Sequence, residues 1–357
     1  MLRLNHPSNS TKLDFDFSQN WFPKGSHIIK CIDSHTEGEP LRVILAGYPQ
    51  PSGHTILARR QELETKYDAF RTALMWEPRG HADMYGCLIT EPVSEDAHFG
   101  VLFLHNEGYS TMCGHGIIAV TTVVLETGML PKSSPETQIV IDTPAGLVTA
   151  WARIENDSVR SVRFKNVPSY AHAIDQSVNV PDIGRIQYDI GYGGAYYAYV
   201  DAGEIDLTTG PDHYSALIRM GKLIKKSITA SSNIIHPYEP DLGFLYGTIF
   251  VGPAESDDAH SRHVCVFADG EVDRSPTGTG VSGRLALLHA KGFLKLRESI
   301  RIESIINSSF TGTVTQECSF GPYNAIIPEV EGQAFITGQH TFILNPQDPF
   351  RDGFLLR

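Results

Sequence analysis

One short device occurs twice in this chain, and the repeat limits what the chain can fold into more than any other feature. Met112-Cys113-Gly114-His115-Gly116 and Pro276-Thr277-Gly278-Thr279-Gly280 align at an offset of 164 residues, setting Cys113 against Thr277 and Gly114, Gly116 and Gly128 against Gly278, Gly280 and Gly292. Each copy opens an apolar stretch that reads as a helix, from Ile117 to about Thr127 and from Val281 to about Lys291. Gly128 and Gly292 then supply the left-handed residue on which many helices stop. Two weaker matches keep the same order: Met84-Tyr85-Gly86 through Pro92 against Leu245-Tyr246-Gly247 through Pro253, offset 161, and Gly38 to Val43 against Gly194 to Tyr199, offset 156. Matches in one order at nearly constant spacing predict two homologous halves related by a pseudo-two-fold axis.

The two repeat helices are apolar nearly all round. Ile117, Ile118, Ala119, Val120, Val123, Val124 and Leu125 in one, and Val281, Leu285, Ala286, Leu287, Leu288 and Ala290 in the other, leave little polar circumference, so both helices must be interior. Between them lie β-branched or aromatic runs bounded by Gly, Pro, Asn or Ser: Val159 to Val167, Gly193 to Asp201, Tyr246 to Pro253, Arg262 to Ala268 and Ile300 to Ile305. These read as strands. The expected architecture is α+β, two lobes each made of strands wrapped around a central helix. The first lobe is placed at residues 1–185 and the second at 186–357, with a C-terminal tail that can return to the first.

Charge and cysteine usage exclude several classes. A formal charge of −12 over 357 residues does not suit a polyanion partner, because nucleic-acid binding rests on clustered Lys and Arg. The polar stretch Met1 to Gly25 lacks the apolar core of a signal peptide, and no run reaches the length of a membrane span; the expected location is cytoplasmic. The five cysteines, Cys31, Cys87, Cys113, Cys265 and Cys318, are odd in number and show no C-x-x-C pair, which argues against a disulfide framework or a zinc site. Four sit in strand-like sequence as small hydrophobes. Cys113 differs, flanked by Gly with a helix following at once.

The first N–H groups of a helix have no intrahelical partner and carry the positive end of its dipole, so Gly114-His115-Gly116 and Gly278-Thr279-Gly280 are two anion cradles. A thiol at such a place is expected to have its pKa lowered from about 8.5 toward roughly 3.5 to 7.5. The spacing matches neither a P-loop nor a dinucleotide fingerprint.

Cys113-Gly114-His115-Gly116 and Asp273-Arg274-Ser275-Pro276-Thr277-Gly278-Thr279-Gly280 resemble the two signature motifs of the proline racemase family, whose fold is that of diaminopimelate epimerase. Supporting segments are Asp33 to Pro40, Arg79 to Gly86, Gly193 to Ala198 and Asp348 to Phe354. The resemblance implies a small imino acid held between the lobes, its carboxylate on Gly114, His115, Gly278 and Thr279 and its ring nitrogen on Asp273 and His115, with no cofactor; a homodimer is the family expectation. Oriented dipoles facing that carboxylate stabilise the charge that develops when the α-proton leaves.

Thr277 departs from the pattern, since racemases and epimerases of the family usually have a second cysteine there. Inversion needs a base on one face of the stereocentre and an acid on the other, each able to exchange protons near neutral pH. A threonine hydroxyl does not ionise usefully unless a base activates it. The Cys113 and Thr277 pair resembles instead the trans-3-hydroxy-L-proline dehydratases of the family, in which one base suffices: Cys113 takes the α-proton, the 3-hydroxyl leaves, and an enamine tautomerises to Δ1-pyrroline-2-carboxylate. Hydroxyproline 2-epimerase or proline racemase is the runner-up. A cysteine hydrolase gives no reason for a second cradle, and a non-catalytic imino-acid binder no reason for Cys113. His35, Glu37, Glu39, His81 and Asp83 lack metal-ligand spacing, and Tyr192 to Tyr199 reads as loop and core strand.

Overall fold

A computed structural model describes residues 21–356; most of the segment Met1 to Gly25 lies outside the described residues. The strands of the first half are β1 (His27–Thr36), β2 (Glu39–Ala46), β3 (Tyr85–Thr90), β4 (Phe99–His105), the short β5 (Tyr109–Ser110), β6 (Glu136–Thr143), β7 (Gly146–Glu155) and β8 (Ser158–Lys165). Helices α1 (Ile56–Lys66) and α2 (Asp68–Met75) lie between β2 and β3, and α3 (Gly114–Glu126) between β5 and β6. The second half repeats the plan with β9 (Ser169–Val180), β10 (Gly184–Tyr192), β11 (Tyr196–Asp201), α4 (Tyr214–Ser231), β12 (Leu245–Gly252), β13 (Ser261–Phe267), β14 (Glu271–Val272), α5 (Gly278–Ala290), β15 (Ser299–Glu303), β16 (Ser309–Phe320), β17 (Tyr323–Gly332) and β18 (Ala334–Leu344).

Pairing repeats with the order. β2 is parallel to β3 and β4 to β6, as β11 is parallel to β12 and β13 to β15. Asp142 accepts from the N–H groups of Val93 and Ser94 at 2.7 and 2.8 Å, and Glu303 accepts from those of Glu255 and Ser256, both at 2.8 Å. The same loop is thus anchored in both halves by a carboxylate of different length, which hid the equivalence from a search for identities.

Strands β9, β10, β11, β12, β13, β15, β16 and β17 close into a ring, because β17 pairs back onto β9 through Ala325 and Ile326. The first ring runs from β1 to β8 and closes through the continuous ribbon of β17 and β18: Glu329–Gly332 pair with β8, and β18 pairs with β1 over its whole length. β18 is therefore paired into the ring of β1 to β8. Because β9 belongs to the second ring, we propose that the chain passes between lobes at residues 166–168; residue 185, where the sequence placed the change, falls inside β10.

Each ring encloses one repeat helix. In α3 every residue from Gly114 to Leu125 is buried, and in α5 the residues from Gly278 to Leu288 are buried apart from Arg284. Side chains of this kind contribute about 1.5–3 kcal/mol each on burial. Gly128 and Gly292 take φ of 73° and 77° just beyond the helices, the expected stop. The starts differ from expectation: both helices begin three residues early, at Gly114 and Gly278, because glycine carries no helical signature in sequence yet occupies their first turns. Glycine is required there by contact. A Cβ on Gly114 would lie 2.5 Å from the Cα of Gly278, and one on Gly278 2.7 Å from the Cα of Gly114, so the two helix N-termini abut backbone to backbone across the lobe boundary. No helix among the described residues is long and apolar enough to cross a membrane.

Candidate active site

The abutting helix starts open onto a small, tightly closed cavity between the lobes. Its wall contains Cys113, Gly114 and His115 from the first lobe and Asp273, Thr277, Gly278 and Thr279 from the second, so the structure brings all seven sequence-predicted site residues to one place. Cys113, His115, Asp273 and Thr277 are 4, 3, 5 and 5 % exposed.

Cys113 is the N-cap of α3 in extended conformation, its sulfur accepting from the Gly116 N–H at 3.2 Å. The His115 Nδ1 lies 3.2 Å from the same sulfur and 4.0 Å from Asp273 Oδ2, so the imidazole bridges the thiol and the second-lobe carboxylate. Thr36 Oγ1 donates to the His115 carbonyl at 2.8 Å and the Tyr85 ring meets His115 edge-on at 4.8 Å, which fixes the residue. Asp273 Oδ1 accepts from the Ser275 N–H at 2.8 Å, leaving Oδ2 toward the histidine.

Thr277 breaks the symmetry of the pair. Its φ is +67°, uncommon for a β-branched residue, whereas Cys113 has φ −145°. The Thr277 hydroxyl makes no cap bond and its oxygen is buried without a hydrogen-bond partner among the described residues. Thr279 is held differently, its Oγ1 2.8 Å from the Tyr197 hydroxyl, while Tyr199 donates to the Gly280 carbonyl at 2.6 Å. Tyr197 thereby belongs to the cavity wall rather than only to core strand.

The expected acidic thiol is corrected. Burial pushes the Cys113 thiol well above its ordinary value, and the Gly116 N–H offsets this only in part. The helix-start argument omitted the cost of enclosing a charge in a water-poor cavity. Burial likewise lowers the pKa of His115, with the Asp273 charge opposing. At neutral pH the resting pair is a thiol against a neutral imidazole. Since a raised thiol pKa means that the thiolate fraction grows as pH rises, alkylation of Cys113 by iodoacetamide is expected to accelerate steadily from pH 6 to pH 9. Mass-spectrometric counting of modified Cys113 against time checks this; a rate already flat below pH 7 contradicts it.

Sequence reading missed the supports around these residues. Glu39, 0 % exposed, accepts from the Arg274 N–H at 2.7 Å, and the Arg274 guanidinium reaches Glu39 at 3.7 Å and Asp83 at 3.3 Å. Two of the acids weighed as a metal run therefore tie the first lobe to the Asp273–Thr277 loop; His35 instead caps its own turn, accepting from Gly38 N–H at 3.2 Å. Among the described residues no group of three His, Cys, Asp or Glu side chains is placed to hold a metal ion. Tyr85, Ser110, Tyr246, Cys265 and Phe267 were also missed. Tyr85 and Tyr246 are equivalent by the 161-residue offset, a signal available in the sequence but read only as strand. All five cysteines are free, and Cys265 shares the cavity with Thr277.

The profile of the proline racemase family matches residues 31–355. A protein of Colwellia psychrerythraea named trans-3-hydroxy-L-proline dehydratase is 48% identical over 343 residues, 95% of this chain and 97% of its own. One of Burkholderia multivorans named 3-hydroxyproline 2-epimerase is 43% identical over 334 residues, 94% of this chain and 100% of its own. Among solved structures, a hydroxyproline epimerase from Agrobacterium vitis with bound trans-4-hydroxy-L-proline superposes with a TM-score of 0.88 at 33% identity, covering 92% of this chain and 95% of that one. With paired motifs, two closed lobes and full-length relatives in agreement, this chain belongs to the proline racemase family.

Proposed function

We propose that this protein is a hydro-lyase that dehydrates trans-3-hydroxy-L-proline to Δ1-pyrroline-2-carboxylate without a cofactor. The observation that carries the reading is the asymmetry of the cavity, a thiol at one helix start and a threonine at the other. Relatives bearing the dehydratase name over nearly their whole length support it. The substrate carboxylate sits on the N–H groups of Gly114, His115, Gly278 and Thr279, and the ring nitrogen faces Asp273 and His115. Cys113, having passed its proton to His115, removes the α-proton; negative charge moves toward the carboxylate, where the two cradles already face it. The C3–O bond then breaks and the enamine tautomerises to the cyclic imine.

A second reading has one observation in its favour: Cys265 places another thiol in the cavity beside Thr277, and a relative is named 3-hydroxyproline 2-epimerase. Burial pushes that thiol well above its ordinary value, as it does the Cys113 thiol, so the two are not separated by acidity; unlike Cys113, Cys265 lies on a strand and not at a helix start. Incubation with each hydroxyproline isomer in turn separates the readings. The o-aminobenzaldehyde signal of a pyrroline product is expected with trans-3-hydroxy-L-proline; a D-series product with no imine overturns the dehydratase reading.

A further inference from the structure

Three buried hydroxyls form a chain along the cavity wall beside Cys113. The Tyr85 hydroxyl on β3 is hydrogen-bonded to Ser110 Oγ on β5, and Ser110 Oγ is 2.8 Å from the Tyr246 hydroxyl on β12, so the chain spans both lobes. Three hydroxyls carry three protons, and two links use two of them. One proton is left, and Cys113 lines the same cavity as both tyrosines. The rings are held in place: Tyr85 edge-on to His115, and Tyr246 stacked on Phe267 with centroids 5.4 Å apart. Burial raises the pKa of both tyrosines well above ordinary, so they stay protonated at neutral pH.

We infer that Tyr85 is the acid that protonates the departing hydroxyl, with Ser110 and Tyr246 as the donor chain behind it. The inference rests on the dehydratase reading and supplies the half of that reaction which the paired motifs leave open. In trans-3-hydroxy-L-proline the hydroxyl shares a ring face with the α-hydrogen, so the leaving oxygen emerges on the Cys113 side, away from Thr277. His115 faces the ring nitrogen with Asp273, whereas C3 lies on the other side of the α-carbon. The steps balance. The α-proton goes to the Cys113 sulfur, the C3–O bond breaks with its electron pair on oxygen, and the Tyr85 proton completes water. The phenolate, held by the Ser110 hydroxyl, is then reprotonated by the Cys113 thiol.

Tyr85→Phe tests this through a ratio that a merely structural role does not move. Cyclic-imine formation from trans-3-hydroxy-L-proline is measured beside exchange of the α-proton of L-proline in heavy water, which needs the base but no leaving group. The ratio of dehydration to exchange is expected to fall about 10²- to 10⁴-fold, the usual contribution of a positioned acid, and Ser110→Ala is expected to move it in the same direction. Unchanged dehydration, or equal loss of both reactions, overturns the inference. A wild-type protein that exchanges the α-proton of L-proline yet dehydrates no 3-hydroxyproline overturns the parent reading and this one together, a result distinct from failure of the variant alone.

Discussion

Cys113→Ser is expected to abolish turnover while leaving the fold intact. Serine is a good N-cap, so the bond from the Gly116 N–H survives in shorter form and α3 keeps its start. The volume change inside the closed cavity is small. Chemistry is another matter, because a serine hydroxyl in the same burial does not ionise and His115 at one side cannot draw its proton as it draws that of a thiol. Loss of the general base alone removes about 10²- to 10⁴-fold, and the mismatch in acidity takes the remainder below detection. The measurement is imine formation alongside a thermal melt of both proteins. An unchanged melt with no product supports Cys113 as the base; retention of more than a small fraction of wild-type activity removes it from that role. Pyrrole-2-carboxylate, planar like the deprotonated substrate, is expected to protect wild-type Cys113 from iodoacetamide.

The parts of the fold legible in sequence were those in which one residue type does one local job. Gly128 and Gly292 marked the helix ends because only glycine takes positive φ there cheaply, and the apolar circumference of residues 117–125 forced an interior helix. What escaped was long-range. No local pattern announces that β9 joins the ring of the second lobe or that β18 pairs with β1, since strand exchange between rings is decided by pairings more than a hundred residues apart in both cases. The amphipathic α4, with Leu217, Gly221, Ile224 and Ile228 facing inward, was legible by spacing and passed over. Gly114, His115, Gly278 and Thr279, which line the cavity, were named through the repeat. Glu39 and Arg274 were not, because an ion pair joining residues on β2 and a loop after β14 leaves no trace in either segment. The Cys113 acidity was misjudged for a related reason: the helix start is visible in sequence, while the enclosure that outweighs it is built by Tyr85, Tyr246 and Phe267 from elsewhere in the chain.

Thr277→Cys is expected to create inversion where wild type shows none above trace. The cradles, Asp273 and His115 are untouched by the change, and the missing element is an acid on the face opposite Cys113. A thiol at residue 277 supplies it from the equivalent position of the second lobe. The backbone favours the exchange as well: Thr277 sits at φ +67° with its hydroxyl buried and unpartnered among the described residues, and a strained non-glycine residue of this kind costs about 1–3 kcal/mol, part of which an unbranched side chain relieves. Chiral chromatography of L-proline and trans-4-hydroxy-L-proline incubations is expected to show the 2-inverted product rising at least about 10²-fold over wild type, the scale of one general acid or base. Dehydration of trans-3-hydroxy-L-proline persists in the variant, because its base and its leaving-group face are unaltered. The opposite outcome is equally specific. If wild type already inverts these substrates at rates comparable with any dehydration, the threonine has been misread, and the thiol of Cys265, buried in the same cavity wall, becomes the second acid; Cys265→Ala in the wild-type background then removes inversion while Thr277→Ala leaves it standing.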